Sequence, residues 1–210
     1  MKKILILIFS FFYLLNQDSK IVGSFFNKYT NINSAKIKFE IVTKQNNNIK
    51  FQNFGEMILI DDSFKIIIDD IMYFFDEKIL YTVIDENYEV NIYDTQENEE
   101  FLKNSLISTL NLKELLINLK NNFSYELETV TEKNDIKYML TFKNEGNSDY
   151  KILFKSNFEI ISIEVFYKDS NLINKIFLKE LKLNTPLNKN EIKINLNKYK
   201  DYFINRLWNY

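Results

Sequence analysis

Cysteine and histidine are both absent from the 210 residues. There is therefore no thiolate or imidazole to hold a metal, no Cys-His or Ser-His catalytic pair and no disulfide. The missing cysteine also leaves no site for the lipid of a bacterial lipoprotein. Glycine occurs 3 times and proline once, so Asn, Asp and Ser must make most of the turns. Nor is there an excess of one charge: the net charge of −2 gives no electrostatic footprint for nucleic acid. What is present is apolar. Hydrophobic residues make up 46% and aromatics 16%, which favours one packed domain over disorder. Abundant Lys, Asn, Ile, Phe and Tyr are the products of A/T-rich codons and point to a base-biased genome.

The first residues read as an export signal. Met1-Lys2-Lys3 precedes an apolar run from Ile4 to Leu15 broken only by Ser10. Such a run suits the core of a signal peptide and is short of the roughly 20 residues that span a bilayer. The expected division is a signal peptide over 1–17, with cleavage near residues 16–19, and one domain over 18–210. Export would place the protein in the periplasm.

Hydrophobic spacing then predicts the elements. Asp18 or Ser19 is suited to cap a helix whose apolar face carries Ile21, Val22, Phe25, Phe26 and Tyr29. After Asn33-Ser34 the period falls to two: Ile37, Phe39 and Ile41 alternate with Lys36, Lys38 and Glu40. Strands are expected over 49–60, 64–68, 71–75, 79–84 and 88–93. Helical spacing returns from Asn98 to Asn121, in two pieces, with a break near Asn111, where Glu114 three residues on completes a capping pair. Further strands are expected over 123–131, 136–143, 150–155, 159–167 and 175–183. A last one over 191–197 precedes a polar tail. The fold class is mainly β with helices: a half-open antiparallel β-barrel of ten to eleven strands, an N-terminal helix and a helical lid inserted mid-chain.

Two acid pairs, Asp76-Glu77 and Asp85-Glu86, are the candidates for carboxylate catalysis of the glycosidase kind. Adjacent residues on a strand point to opposite faces, so neither pair forms a facing couple. Both sit where the apolar pattern pauses, and they read as turns. No enzyme, cofactor or metal is expected.

The order of elements and four stretches resemble the LolA family of lipoprotein carriers. "FGEMILIDDSFKI" (54–66) is similar to the family's Gly-led strand, turn and Phe-bearing next strand. "IMYFFDEKILYTVIDENYEVNIYD" (71–94) resembles the strand pair that follows. "NLINKIFLKELKLNTPL" (171–187) resembles the late strand ending in Asn-x-Pro, and "IKINLNKYKDYFINRL" (192–207) the closing segment, with Phe203-Ile204-Asn205 near its end. The pattern looks closest to Bacteroidetes-type members. Two departures stand out. Glu77 replaces the family's Gly, and Asp61-Asp62-Ser63 stands where many members have an Arg-Pro turn whose Arg bonds the lid. That latch is not carried over.

The resemblance implies a non-enzymatic periplasmic carrier. It would hold lipoprotein acyl chains in an apolar cavity, take them from an inner-membrane ABC transporter and shuttle them towards the outer membrane. It would come close to membranes transiently, act as a monomer and bind no nucleic acid. Acyl chains need only apolar wall, at about 0.8 kcal/mol per buried CH₂. The expected wall is Ile37, Phe39, Ile41, Met57, Leu59, Phe64 and Ile66. The expected lid is Leu102, Leu106, Leu110, Leu115, Leu116 and Leu119. Ordinary core is the competing reading of each of these residues. The competing functions are a sensor of the same fold resembling RseB, which usually carries a second domain, and a LolB-like acceptor, which needs the absent cysteine for its anchor.

Overall fold

The computed structural model describes residues 18–46, 48–76, 78–94, 106–132, 135–143 and 146–207. Glu77 and Leu102 therefore lie outside the described residues, as do residues 1–17, where a signal peptide is expected. Helix α1 occupies 18–30. Asp18 and Ser19 are already helical, so neither is its cap. The strands are β1 (Ser34–Gln45), β2 (Asn48–Ile60), β3 (Ser63–Ile68), β4 (Ile71–Asp76), β5 (Ile79–Ile84) and β6 (Glu89–Asp94), followed by helices α2 (Leu106–Leu110) and α3 (Leu112–Asn122). Then come β7 (Ser124–Glu132), β8 (Asp135–Lys143), β9 (Ser148–Lys155), β10 (Ile160–Tyr167), β11 (Leu172–Leu183) and β12 (Phe203–Leu207).

All of the strands join one 12-stranded sheet in the order β12-β6-β5-β4-β3-β2-β1-β11-β10-β9-β8-β7. Neighbours are antiparallel except β12, which runs parallel to β6. β7 and β12 are the free edges, so the barrel stays open. β1 is the long central strand, with β2 on one side and β11 on the other. Its inward residues pair with inward residues: Ile37 lies opposite Met57 and Leu181, and Phe39 opposite Gly55 and Leu178. Its outward Lys38 meets acids on both neighbouring strands, reaching Glu56 at 3.2 Å and Glu180 at 3.9 Å. Period two thus sorts the centre of β1 into a dry inner face and a charged outer one.

Turns without glycine are made largely by Asn and Asp. The described residues with left-handed φ are Asn46, Asp61, Asp69, Asn171 and Asn184, together with Tyr88 and Phe158. Asn and Asp tolerate this region because their side chains bond locally. Gly55 serves a different need. A Cβ there would stand 2.5 Å from Cζ of Phe39 and 2.6 Å from the Ile67 carbonyl oxygen. The Phe39 ring lies directly over the bare backbone. Gly55→Ala is expected to cost about 1–3 kcal/mol, because the ring and the β2–β3 ladder must both yield. Urea unfolding measures it, and a midpoint equal to that of the parent would refute the contact.

The segment after β11 corrects the sequence reading. Residues 191–197 form no strand. The chain makes 3-10 turns at Lys189–Glu191 and Leu196–Tyr199, whose Asn188 and Asn195 side chains accept hydrogen bonds from Asn190 N–H (3.0 Å) and Asn197 N–H (3.2 Å). These local bonds replace ladder bonds. The alternating apolar residues are there because this strap crosses the outer face of the sheet, where Ile194, Tyr199 and Tyr202 pack on Phe74, Val83, Val90 and Ile92. The expected polar tail is in fact β12, which accounts for the extra strand and the parallel pair.

Candidate functional site

The inner face of the sheet is a hollow filled by helices. Every expected wall residue lies in one cluster and is 4% exposed or less: Ile37, Phe39 and Ile41 on β1, Met57 and Leu59 on β2, Phe64 and Ile66 on β3. The same cluster holds Leu110 of α2 and Leu115, Leu116 and Leu119 of α3. Leu106 opens α2. The helical break falls at Asn111, whose side chain accepts from the Glu114 N–H at 3.5 Å, and Leu112 is buried just beyond it. The seven expected wall residues and four of the six expected lid leucines thus lie in one buried cluster.

The other half of the hollow was missed as a site. Leu140 and Phe142 on β8, Ile152 and Phe154 on β9, Ile163 on β10 and Ile176 on β11 continue the same buried cluster. The alternation along those strands carried the signal. Helix α1 fills this half. Its Phe25 stacks on Phe154 with ring centroids 4.3 Å apart, and Phe26 meets Phe142 edge-on at 6.3 Å. Its amphipathic face was legible; that it plugs the hollow was not.

The two helices are held differently. The buried Tyr29 hydroxyl of α1 donates to the Phe158 carbonyl at 2.7 Å and accepts from the Ile160 N–H at 3.1 Å. For α3, the recorded polar tie to the sheet is Lys113 Nζ to Asp62 at 3.1 Å, in the turn before β3. Asp62 is 63% exposed, and such pairs contribute about 0–1 kcal/mol. This turn is where the resembling family places its Arg; here the acid is on the turn and the cation on the helix. Lys120 adds a contact over the Phe26 ring at 5.7 Å.

The described members of the acid pairs, Asp76, Asp85 and Glu86, are exposed. Asp85 and Glu86 fall in a 3-10 turn, where Asp85 accepts from the Tyr202 hydroxyl at 3.1 Å, and Asp76 ends β4. A separate cleft of about 200 Å³ between the turn at Asp61 and the strap is lined by Asp76, Lys189 and Lys193 among others. Its charged lining does not suit an alkyl chain. Among the described residues no cluster of acids is arranged to hold a metal, and no helix is long and apolar enough to cross a membrane.

Tyrosines dominate the titration of the inner face. Burial pushes Tyr29 up to about 12, and it also raises Tyr73, Tyr93, Tyr150 and Tyr167. Below about pH 10 these groups are protonated whether the chain is folded or unfolded, and they add no pH dependence. Between about 10 and 12 the unfolded chain loses protons that the folded one keeps, so stability falls as pH rises. With no histidine or cysteine to titrate, urea midpoints are expected to stay nearly level from about pH 6 to 9 and then drop. Tyr29→Phe should shrink the drop; an alkaline limb unchanged in that variant would exclude Tyr29 as its source.

The architecture is therefore an open, mainly antiparallel β-sheet that closes around its own helices. No family model and no curated protein sequence matches the chain. Solved structures do. An uncharacterized conserved protein from Thermus thermophilus superposes with a TM-score of 0.58 at 10% identity, over 90% of this chain and 99% of that one. The shared fold is what that likeness establishes. Weaker likenesses, on which nothing rests, include a LolA superfamily protein from Nitrosomonas europaea (TM-score 0.43, 10% identity, 83% of this chain and 98% of that one). Another is a domain assigned to outer membrane lipoprotein sorting from Vibrio parahaemolyticus (0.45, 8% identity, 86% and 97%).

Proposed function

We propose that this protein is a carrier of acyl chains, with the hollow as its binding site and α2–α3 as its lid. One observation supports the reading. Ile37, Phe39, Ile41, Met57, Leu59, Phe64 and Ile66 share one buried cluster with Leu110, Leu115, Leu116 and Leu119 of the helices that fill the concave sheet. Such an interface exchanges one apolar occupant for another at little net cost. A leaving helix exposes the surface that an entering alkyl chain covers, and the gain of about 0.8 kcal/mol per CH₂ offsets the opening. The tie at Lys113 is weak enough to break in each cycle.

In this reading residues 1–17 are a signal peptide, 18–210 work in the periplasm as a monomer, and the cargo is lipoprotein delivered by an inner-membrane ABC transporter. The role is binding, with no catalysis and no cofactor. The sequence resemblance to LolA carriers supports the cargo class. Titration with a fluorescent fatty-acyl probe tests the site: saturable uptake with blue-shifted emission is expected, and no uptake would refute it. Depleting the protein in its host should leave lipoproteins in the inner membrane or periplasm. Unchanged sorting would remove the shuttling role.

A further inference from the structure

Strand β2 outruns β3. On that side its last partner is Gly55, opposite Ile68, whereas on the other side it continues along β1 to Asn48, opposite Gln45. The turn after β3 still reaches Phe54, whose carbonyl accepts from the Asp69 N–H at 3.5 Å, and Asn53, whose side chain donates to Asp69; residues 48–52 are the open edge of the sheet. Three large apolar side chains stand in water there: Ile49 is 60% exposed, Phe51 67% and Phe54 59%. They are not one misplaced core face. Phe51 has the inward parity of Met57 and Leu59, and Phe54 the outward one, so both sides of the hairpin tip are apolar.

Charge singles out the same tip. No acid occurs in sequence between Val42 and Gly55, and the two carboxylates that reach this stretch from outside it, Glu40 and Asp69, accept from the Gln52 and Asn53 side chains. Lys44 and Lys50 flank the apolar side chains and have no ion-pair partner among the described residues. Elsewhere several outward lysines of this sheet meet acids, as Lys38 meets Glu56, Lys175 meets Glu164 and Lys179 meets Glu40.

Apolar tips beside unpaired ammonium groups fit the headgroup layer of an anionic bilayer. The rings reach the acyl boundary while the lysines meet phosphates. The unpaired N–H and C=O groups of the edge are satisfied in that wet layer and not in hydrocarbon, which limits the depth. We propose that the β1–β2 hairpin tip, residues 44–46 and 48–54, is a docking surface for membranes that contain anionic phospholipid. Phe51 belongs to the face that lines the hollow, so docking brings the rim of the hollow to the lipid. The surface is argued from its own residues and stands whether or not the hollow carries acyl chains.

The absence of cysteine simplifies the test. Asn48→Cys in the full chain takes one environment-sensitive fluorophore at the tip; Glu128→Cys, exposed on β7, takes it at a remote edge. Vesicles containing phosphatidylglycerol should blue-shift the label at 48 and not the label at 128. Pure phosphatidylcholine vesicles should bind at least tenfold more weakly. Lys44→Gln and Lys50→Gln should each weaken binding about fivefold. Phe54→Ser, on the outward face, should weaken the shift at 48 at least fivefold while leaving acyl-probe uptake unchanged, which separates this proposal from the carrier reading; the combined Ile49→Ser, Phe51→Ser and Phe54→Ser variant should abolish the shift. Because the label is local, adhesion through the apolar N-terminal run leaves it unshifted. An unshifted label on vesicle-bound protein, or a triple variant that binds like the parent, would overturn the proposal. So would a label that answers to a soluble extended peptide and not to vesicles, which would make the edge a strand-pairing site.

Discussion

Leu119→Ala is expected to make the protein less stable and yet a tighter binder of acyl probes. Leu119 is fully buried in α3 against the wall. Truncating it removes its contacts and leaves a cavity, at about 2–5 kcal/mol. Those contacts exist only while the lid is closed. Apparent affinity is the intrinsic affinity scaled by the fraction of open molecules. Each ~1.4 kcal/mol taken from the closed state therefore raises apparent affinity about tenfold, until the open form dominates. Urea unfolding and probe titration, both run where circular dichroism shows the variant folded, measure the two effects. If the cluster is ordinary core, stability falls and probe binding stays at background. That result would sink the lid assignment.

Tyr29→Ala should be the most damaging single change outside the lid. Its ring is fully buried 5.3 Å from Phe25, and its hydroxyl bridges the Phe158 carbonyl and the Ile160 N–H. Losing a buried aromatic costs about 3–5 kcal/mol. Two backbone groups are also left unpaired, at about 1–3 kcal/mol each where water does not reach. Phe158 adds a further strain, because it sits at φ 64°, a region that bulky residues avoid. The Tyr29 hydroxyl holds that turn. The sum approaches the whole stability of a typical domain, so Tyr29→Ala is expected to be largely unfolded at 25 °C. Tyr29→Phe isolates the hydroxyl and should cost about 1–3 kcal/mol. A loss for Tyr29→Phe below about 0.5 kcal/mol would show that the bridge contributes nothing beyond an ordinary surface change.

Together the two variants separate the helices by role. Buried polar bonds fix α1 to the β9–β10 turn. The tie recorded for α3 is an exposed ion pair with about 0–1 kcal/mol to give. A helix held by dry leucines, an exposed ion pair and a lysine over the Phe26 ring is the one the proposed lid would move.

Several features were legible because they are local. Period two marked β1 through Lys36, Ile37, Lys38 and Phe39. Period 3.6 marked α3 through Leu112, Leu115, Leu116 and Leu119, and Asn111 with Glu114 marked its start. Asn and Asp at the turns followed from the shortage of glycine. The strap over 184–202 was misread for an equally physical reason. Ile192, Ile194 and Leu196 alternate as a strand would, and alternation reports one apolar side without saying what covers it. Here the covering surface is the outer face of β4–β6, which turns apolar where Phe74, Val83 and Ile92 stand. The exposure of Ile49, Phe51 and Phe54 was hidden in the same way, since they look like core until β3 is seen to stop short of them.

The sequence by itself determined most of the elements before the strap, the inward and outward parity along β1, and the absence of thiol and imidazole chemistry, and it put forward the candidate wall and lid. These depend on neighbours a few residues apart. Only the tertiary structure decided that α1 plugs half the hollow, that Tyr29 closes a bridge to Phe158 and Ile160, that Lys113 meets Asp62, and that the tip of β2 lies uncovered. Each of these joins, or fails to join, elements far apart along the chain. Local periodicity carries no information about such distances, and packing alone sets them.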